Sequence, residues 1–445
     1  MAPTPTIELI HRGSEGYEEA RRATCRNRHL PDRYAEVIVQ ATNEAEAAAA
    51  IRLAAENDWR VAIRSGGHSF SCNHIREGGM LLDLSRLNDV EIDGAAMTAA
   101  VGPGCRSDEL DALLAERDLF FPVGHCQGVG LGGYLLQGGF GWNSRTLGMA
   151  CESVLAIDYV DADGEVRHAS PEENADVYWA ARGSGPGFVG AITRYHLRLY
   201  PRPAFIGSRL GVYPLEKFEE VFRWVKEVGP TVSQHVELMW VVTRRLPITG
   251  EPGMMVIVAV FADSEEEARQ EVSFVDSRPD GATMFLPFTE MSLAELTAET
   301  MSNYPEDHNH VVDNTWTHAT ADELLPAMRG ILEDLPPAPS HFIWLNWSPK
   351  TQRSEMAFSL EDEFYTAQYG LWSEDDEHLE EPVTAWVNAG IAALAPHSSG
   401  IQLADENLAR RDAPFMAEAN RARLESIRQE RDPGRRFHTY GSVAD

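Results

Sequence analysis

The alternation of apolar and polar positions changes period several times in the first 200 residues. Residues 34–40 alternate loosely and end in Val-Ile-Val, which predicts a strand. Asn43 with Glu46 three positions on resembles a capping box, and the alanine-rich run 45–56 predicts the helix it would start. Residues 61–64 predict a short strand leading straight into Ser65-Gly66-Gly67-His68-Ser69-Phe70. Three close strands are expected at 80–84, 90–92 and 97–101, then a turn at Gly102-Pro103-Gly104. A helix is expected at 107–117, with acidic residues in the first turn where the helix dipole favours them. Residues 154–160 and 165–168 read as a hairpin, and 192–199 alternate as a further strand.

The pattern changes after Tyr200-Pro201-Arg202-Pro203. From about residue 204 the glycine clusters stop. Strand-like runs at 254–261, 341–347 and 364–371 alternate with helix-like runs at 215–228, 264–275, 320–333 and 381–394. An α+β domain on an antiparallel sheet fits that order. A last helix is expected over 412–431, followed by a closing segment at 437–443.

One stretch fits neither period. Residues 121–154 contain Gly124, Gly128, Gly130, Gly132, Gly133, Gly138, Gly139, Gly141 and Gly148 around a single thiol, Cys126. In a helix or strand interior each glycine costs roughly 0.5–1 kcal/mol relative to alanine. So this density predicts an irregular wall that lets backbone approach a flat or charged cofactor. The strand-to-glycine turn at 65–70 is a second such place, where exposed N–H groups could cradle a phosphate. Residues 182–188 are a third.

Composition narrows the classes of partner. The formal net charge of −31 argues against nucleic acid and anionic membranes, and lysine is confined to Lys217, Lys226 and Lys350. There is no basic, apolar start resembling a signal peptide and no apolar run long enough for a membrane span, so a soluble cytoplasmic protein is expected. The cysteines, Cys25, Cys72, Cys105, Cys126 and Cys151, are odd in number and form no C-x-x-C pair. That argues against a disulfide framework and a thiolate zinc site.

Three constellations carry weaker signals. Gly128-x-Gly130-x-x-Gly133 with Glu152 matches a dinucleotide fingerprint literally, but no clean buried strand precedes it. His308, His310 and His318 read as surface or loop residues rather than metal ligands. Asp158, Asp161 and Asp163 read as turn and solvent residues. No metal is expected.

Two remaining segments belong together: Arg64-Ser-Gly-Gly-His68 and Cys126-Gln-Gly-Val129-Gly-Leu-Gly-Gly133. With Trp179-Ala-Ala-Arg182-Gly-Ser-Gly-Pro-Gly-Phe188 and Asp432-Pro433 to Phe437, they resemble the motifs of FAD-linked oxidases of the vanillyl-alcohol-oxidase/PCMH type, in the berberine-bridge-enzyme-like branch. The resemblance implies a two-domain PCMH-type fold. Residues 1–203 would form the FAD domain, 204–404 an α+β substrate domain, and 405–445 would return to the FAD domain. It implies FAD held by two covalent bonds, from His68 to the 8-methyl group and from Cys126 to ring carbon 6. It also implies FAD contacts from Arg64, Ser65, Gly66, Gly67 and Ser69, from Val129, Gly130, Gly132, Gly133 and Gly138, and from Gly190, Ile192, Tyr440 and Ser442. Val129 falls where the family gates oxygen, which points to an oxidase forming hydrogen peroxide.

On the substrate side the chain departs from the family. The tyrosine of a Y-x-N-x-x-D segment is replaced in Gly400-Ile401-Gln402-Leu403-Ala404-Asp405. Strand alternation puts Tyr365 and Tyr369 on one face and Gln368 on the other. By resemblance the Gln368 position faces the flavin, where glutamine could orient but not deprotonate. Tyr365, Tyr369, Tyr134 and the histidines around His308 are the candidates for the proton acceptor. The expected reaction is hydride removal from a bulky phenolic, polycyclic or alkaloid-like small molecule, with O2 as acceptor. A sugar substrate, a non-oxygen acceptor and a flavin protein without a redox substrate remain alternatives. A monomer or homodimer is expected.

Overall fold

The computed structural model describes residues 7–348 and 355–441. Two sheets build the N-terminal half. In the first, Val61–Arg64 and Val37–Gln40 flank Met80–Asp83 in parallel, with Ile10–His11 added antiparallel at the edge. The helix Glu44–Glu56 connects two of these strands, and Asn43 caps it by accepting from the Glu46 N–H. Its alanine face is buried against the sheet, which is why so many alanines are needed there.

The second sheet is antiparallel, in the order Val90–Asp93, Thr98–Val101, Ala191–Arg198, Val154–Val160, Val166–Ala169. These are the predicted strands, with bounds moved by at most one residue. The C-terminal segment lies against this half: Phe437 bridges to Val61, and the Val61 N–H donates to the Arg436 carbonyl at 2.7 Å. The last helix is Glu418–Arg431, beginning six residues later than the pattern predicts.

The region after residue 204 is dominated by one large antiparallel sheet. Its long strands run in the order Phe205–Tyr213, Gly253–Ala262, Val236–Thr243, His341–Asn346, Phe364–Ser373, His308–Thr317. Alternation along each strand divides the side chains between two faces. Trp240, Phe342, Trp344, Phe364 and Trp372 pack under the helices Phe218–Val228, Ala321–Glu333 and Glu380–Leu394. Met239, Ile343, Leu345, Tyr365 and Tyr369 face the other way, toward the N-terminal half. The helix over 321–333 has the predicted start, with Thr320 and Glu323 forming a capping box.

Three expectations need correction. The glycine stretch 121–154 is not wholly irregular: Leu131–Leu136 is a short helix containing Gly132 and Gly133, because Leu131 and Leu135 drive its buried side into the core. His308 and His310 lie on a strand, and His310 is buried rather than in a surface loop. Phe205–Tyr213 and Val236–Thr243 were not anticipated as strands; the glycines at 207 and 211 interrupt the pattern of the first.

Candidate active site

A large cavity lies between the N-terminal half and the open face of the large sheet. One end is walled by residues 61–70, 124–140, 185–192 and 437–439, the other by the large sheet. The loop after Val61–Arg64 leaves the C-terminal end of a parallel strand, the usual place for a ligand in such sheets. This loop meets the second glycine segment backbone to backbone. A Cβ on Gly66 would stand 2.3 Å from the Gly130 nitrogen. Gly67 has φ +69°, and a Cβ there would lie 2.1 Å from the Thr24 carbonyl oxygen. Neither position has room for a side chain.

His68 and Cys126 line the same cavity. His68 Nε2 lies 3.1 Å from the Arg26 guanidinium, which only donates, and 3.2 Å from the Gln127 carbonyl, which only accepts. Each neighbour serves one tautomer. Burial, reinforced by the Arg26 charge, lowers the His68 pKa to about 4, so the ring is neutral at pH 7. Burial pushes the Cys126 thiol up to about 12, with Arg26 opposing.

Ser65, Gly66, Gly67, Ser69, Val129, Gly130, Gly132, Gly133, Gly190 and Ile192 all line the cavity. Three other expected contacts differ, and a fourth is not described. Arg64 contributes to the lining, but its guanidinium turns to Asp83 at 2.9 Å and to the Thr24 carbonyl at 3.1 Å. Gly138 is not in the lining, and a Cβ there would meet Phe358. Tyr440 turns away, donating to the Ser184 carbonyl and packing on Phe415; His438 and Thr439 line the cavity instead. Ser442 lies outside the described residues.

At the sheet end, Asp405 is the only carboxylate among the described lining residues. It accepts from the Tyr365 hydroxyl at 2.5 Å and from the Tyr369 hydroxyl at 2.9 Å. Burial raises its pKa and the two tyrosines oppose that rise. Burial raises both tyrosines well above the usual phenol range, helped by the Asp405 charge. Tyr304 and His341 pack edge-on and stacked against Tyr369, at 5.0 and 4.9 Å between ring centres.

The sequence reading placed Tyr365 and Tyr369 on one face, and the structure brings both to the cavity. It misplaced two other candidates. Gln368 points through the opposite face of the sheet, where its amide packs on Gly390 of the helix Glu380–Leu394. It is 1% exposed, and its amide has no hydrogen-bond partner among the described residues. Gln368 is one position from Tyr369 and three from Tyr365, so the two-residue strand period turns it to the other face and excludes it from the site. Tyr134 lines the cavity, but its hydroxyl donates to the Pro122 carbonyl at 2.7 Å. The histidines 308, 310 and 318 do not converge: His318 bonds Asp362, while His310 packs at a tilt against Phe70.

Asp405 itself was not among the candidates. The signal was there, since it closes the same stretch in which Gly400 replaces a tyrosine. Gly400 has φ +144°, and a Cβ on it would lie 2.3 Å from Leu360 and 2.5 Å from the Pro414 carbonyl oxygen. No tyrosine fits at that position. Arg26, which touches His68 and donates to the Tyr304 carbonyl at 3.0 Å, was also missed.

These residues suit a flavin dinucleotide. Among the described residues no acidic side chain lines the half walled by the glycine loops, which suits a diphosphate, and Gly133 faces open space. A neutral imidazole and a thiol sit on the same cavity.

Fold and cavity together define an FAD-binding oxidoreductase architecture. Residues 35–170 match the model of the FAD binding domain. The chain is similar to the FAD-linked oxidoreductase nodO of Hypoxylon pulicicidum, at 30% identity over 445 residues and 98% of each chain. Among solved structures it resembles 6-hydroxy-D-nicotine oxidase from Arthrobacter nicotinovorans, with TM-score 0.84, 21% identity and 100% and 99% of the two chains covered. It also resembles Physcomitrella patens BBE-like 1, with TM-score 0.84, 18% identity and coverage of 97% and 96%. The chain belongs to the FAD-linked oxidoreductases and has the two-domain α+β fold of their berberine-bridge-enzyme-like branch.

Proposed function

We propose that this enzyme is an oxidase that removes hydride from a bulky, largely apolar organic molecule carrying an ionisable O–H or N–H group. In this reading FAD is bonded to both His68 and Cys126, and O2 is reduced to hydrogen peroxide. The observation that carries it is the Asp405 carboxylate, clasped by Tyr365 and Tyr369 in a cavity continuous with the glycine-lined half.

Bound FAD supplies the acceptor for the hydride. The chain's own residues supply the rest. Met239, Val241, Ile257, Ile343 and Leu345 form an apolar wall at the sheet end, which excludes water and favours an apolar skeleton. Trp240, Trp316, Trp347 and Trp372 are packed into cores, and Trp344, although it borders the cavity, is fully buried. They do not present the flat faces on which a sugar would stack, and this favours a polycyclic or phenolic metabolite over an oligosaccharide. Asp405 takes the substrate proton, and the two tyrosine hydroxyls hold its carboxylate in place. The raised Asp405 pKa makes it a stronger base than an exposed aspartate.

Neutral His68 has the protonation state that bond formation to a ring methyl needs. With its proton on Nε2 facing the Gln127 carbonyl, Nδ1 carries the free lone pair. A thioether at Cys126 would leave no thiolate for the buried site to desolvate. Val129, small and on the cavity wall, leaves space for O2.

The test is aerobic turnover of a panel of polycyclic phenols and cyclic amines, with oxygen uptake and peroxide measured together. Equal amounts of oxygen consumed and peroxide formed support the oxidase. Turnover with an electron-accepting dye but no peroxide would sink it. Absence of flavin reduction by the whole panel under anaerobic conditions would remove the proposed substrate class.

A further inference from the structure

Cys25, Cys72 and His74 form a buried cluster outside the proton-transfer site. Cys25 and Cys72 are free thiols packed together with Ile75, and both are buried. The Cys25 sulfur lies 3.2 Å from His74 Nε2, and the same side chain packs in one buried cluster with Cys72. His74 in turn lines the large cavity. A thiol touching both an imidazole and a second thiol has the parts of a redox pair: a nucleophile, a base and a resolving group.

The location gives the pair leverage. Cys72 is on the loop that carries His68. Cys25 is on the segment 24–27, which stitches that loop to the substrate domain. The Arg26 N–H donates to the Gly67 carbonyl at 3.0 Å, and its guanidinium reaches His68 and the Tyr304 carbonyl. The Asn27 amide donates to the carbonyls of Phe70 and His310, at 2.6 and 2.9 Å.

We propose that Cys25 and Cys72 are a peroxide-sensitive dithiol that closes to a disulfide behind the His68 loop, tying that loop covalently to the segment bridging the two domains. His74 takes the Cys25 proton, and the Cys25 sulfur attacks one oxygen of hydrogen peroxide. The O–O bond breaks, one water leaves after protonation, and Cys25 becomes a sulfenic acid. The Cys72 sulfur then attacks the Cys25 sulfur, the S–O bond breaks and a second water leaves. Two thiols and one peroxide give one disulfide and two waters, with two electrons passing from sulfur to oxygen. The other thiols are poorer candidates: burial raises both Cys105 and Cys126 to about 12, whereas contacts from Cys72, and then the charge of His74, bring Cys25 below the usual thiol range despite burial.

The oxidant is the product assigned to this cavity by the proposed function, so the biological role rests on that reading. The chemistry is tested independently by supplying peroxide from outside. Wild-type holoprotein is reduced, desalted, exposed to hydrogen peroxide, alkylated and digested without reductant for mass spectrometry. The expected result is a peptide pair joined through Cys25 and Cys72 and released by dithiothreitol. Cys72→Ser should leave Cys25 as a sulfenic acid captured by dimedone, and His74→Asn should slow the oxidation at least about tenfold. Recovery of both cysteines alkylated after peroxide, or dimedone capture of Cys25 in the wild type without the crosslink, would overturn the proposal. A crosslink from either cysteine to a different partner would do the same.

Discussion

Tyr365 and Asp405 are joined by a 2.5 Å hydrogen bond from the phenol to the carboxylate, across 40 residues of sequence. Tyr369 adds a second bond at 2.9 Å to the same oxygen. Both bonds favour the ionised carboxylate, and burial opposes them. If this carboxylate is the base, activity requires it ionised. The rate should therefore rise with pH through a pKa above the usual carboxylate range. Asp405→Asn should lower the rate of flavin reduction by about 10²–10⁴-fold and abolish that acid limb, while leaving flavin content unchanged. Anaerobic stopped-flow reduction across pH checks it.

Tyr365→Phe removes a hydrogen bond that stabilises the charged form of Asp405. The acid limb should move to higher pH, with a smaller loss of rate at its plateau than in Asp405→Asn. A double variant with Tyr369→Phe should move it further. A limb that stays in place in the double variant would show that Asp405 is not the titrating group.

Gly66 and Gly130 meet backbone to backbone, so neither loop can yield to a methyl group as a flexible side chain would. A Cβ on Gly66 would stand 2.3 and 2.6 Å from Gly130 N and Cα. Gly66→Ala should fold but separate the loops and lose most bound flavin. The ratio of flavin to protein absorbance in the purified variant measures this.

Arg145 bridges the halves of the molecule without approaching chemistry. Its guanidinium donates to the carbonyls of Val232, Ser233, Val236 and Trp347, and it is 2% exposed. Burial lowers its pKa to about 10, so it remains charged at pH 7. Arg145→Met leaves those carbonyls with fewer donors and should cost about 3–5 kcal/mol of stability. Denaturant unfolding followed by tryptophan fluorescence provides the comparison.

Local signals made much of this legible. The Asn43 cap, the alternation in 154–160 and 364–371, and the glycines flanking His68 and Cys126 each report a constraint carried by neighbouring residues. The misses depend on distant contacts. Gln368 sits on a strand whose period had already turned it away from Tyr365 and Tyr369, and family resemblance outweighed that period. Gly400 stood out as a lost tyrosine, while its neighbour Asp405 became informative only when the chain brought it to two phenols some 36 to 40 residues away. Arg64 reads as a cofactor ligand in a motif, yet Asp83 on the adjoining strand, paired with it in register, claims its charge.

The most direct measurement of the central claim is flavin retention through acid denaturation. The wild type, His68→Ala, Cys126→Ala and the double variant are each precipitated in acid, washed and examined for flavin absorbance in the redissolved pellet. Two bonds to one FAD predict a yellow pellet from the wild type and from each single variant, and a colourless pellet from the double variant. Flavin released wholly into the supernatant from the wild type would contradict the covalent site.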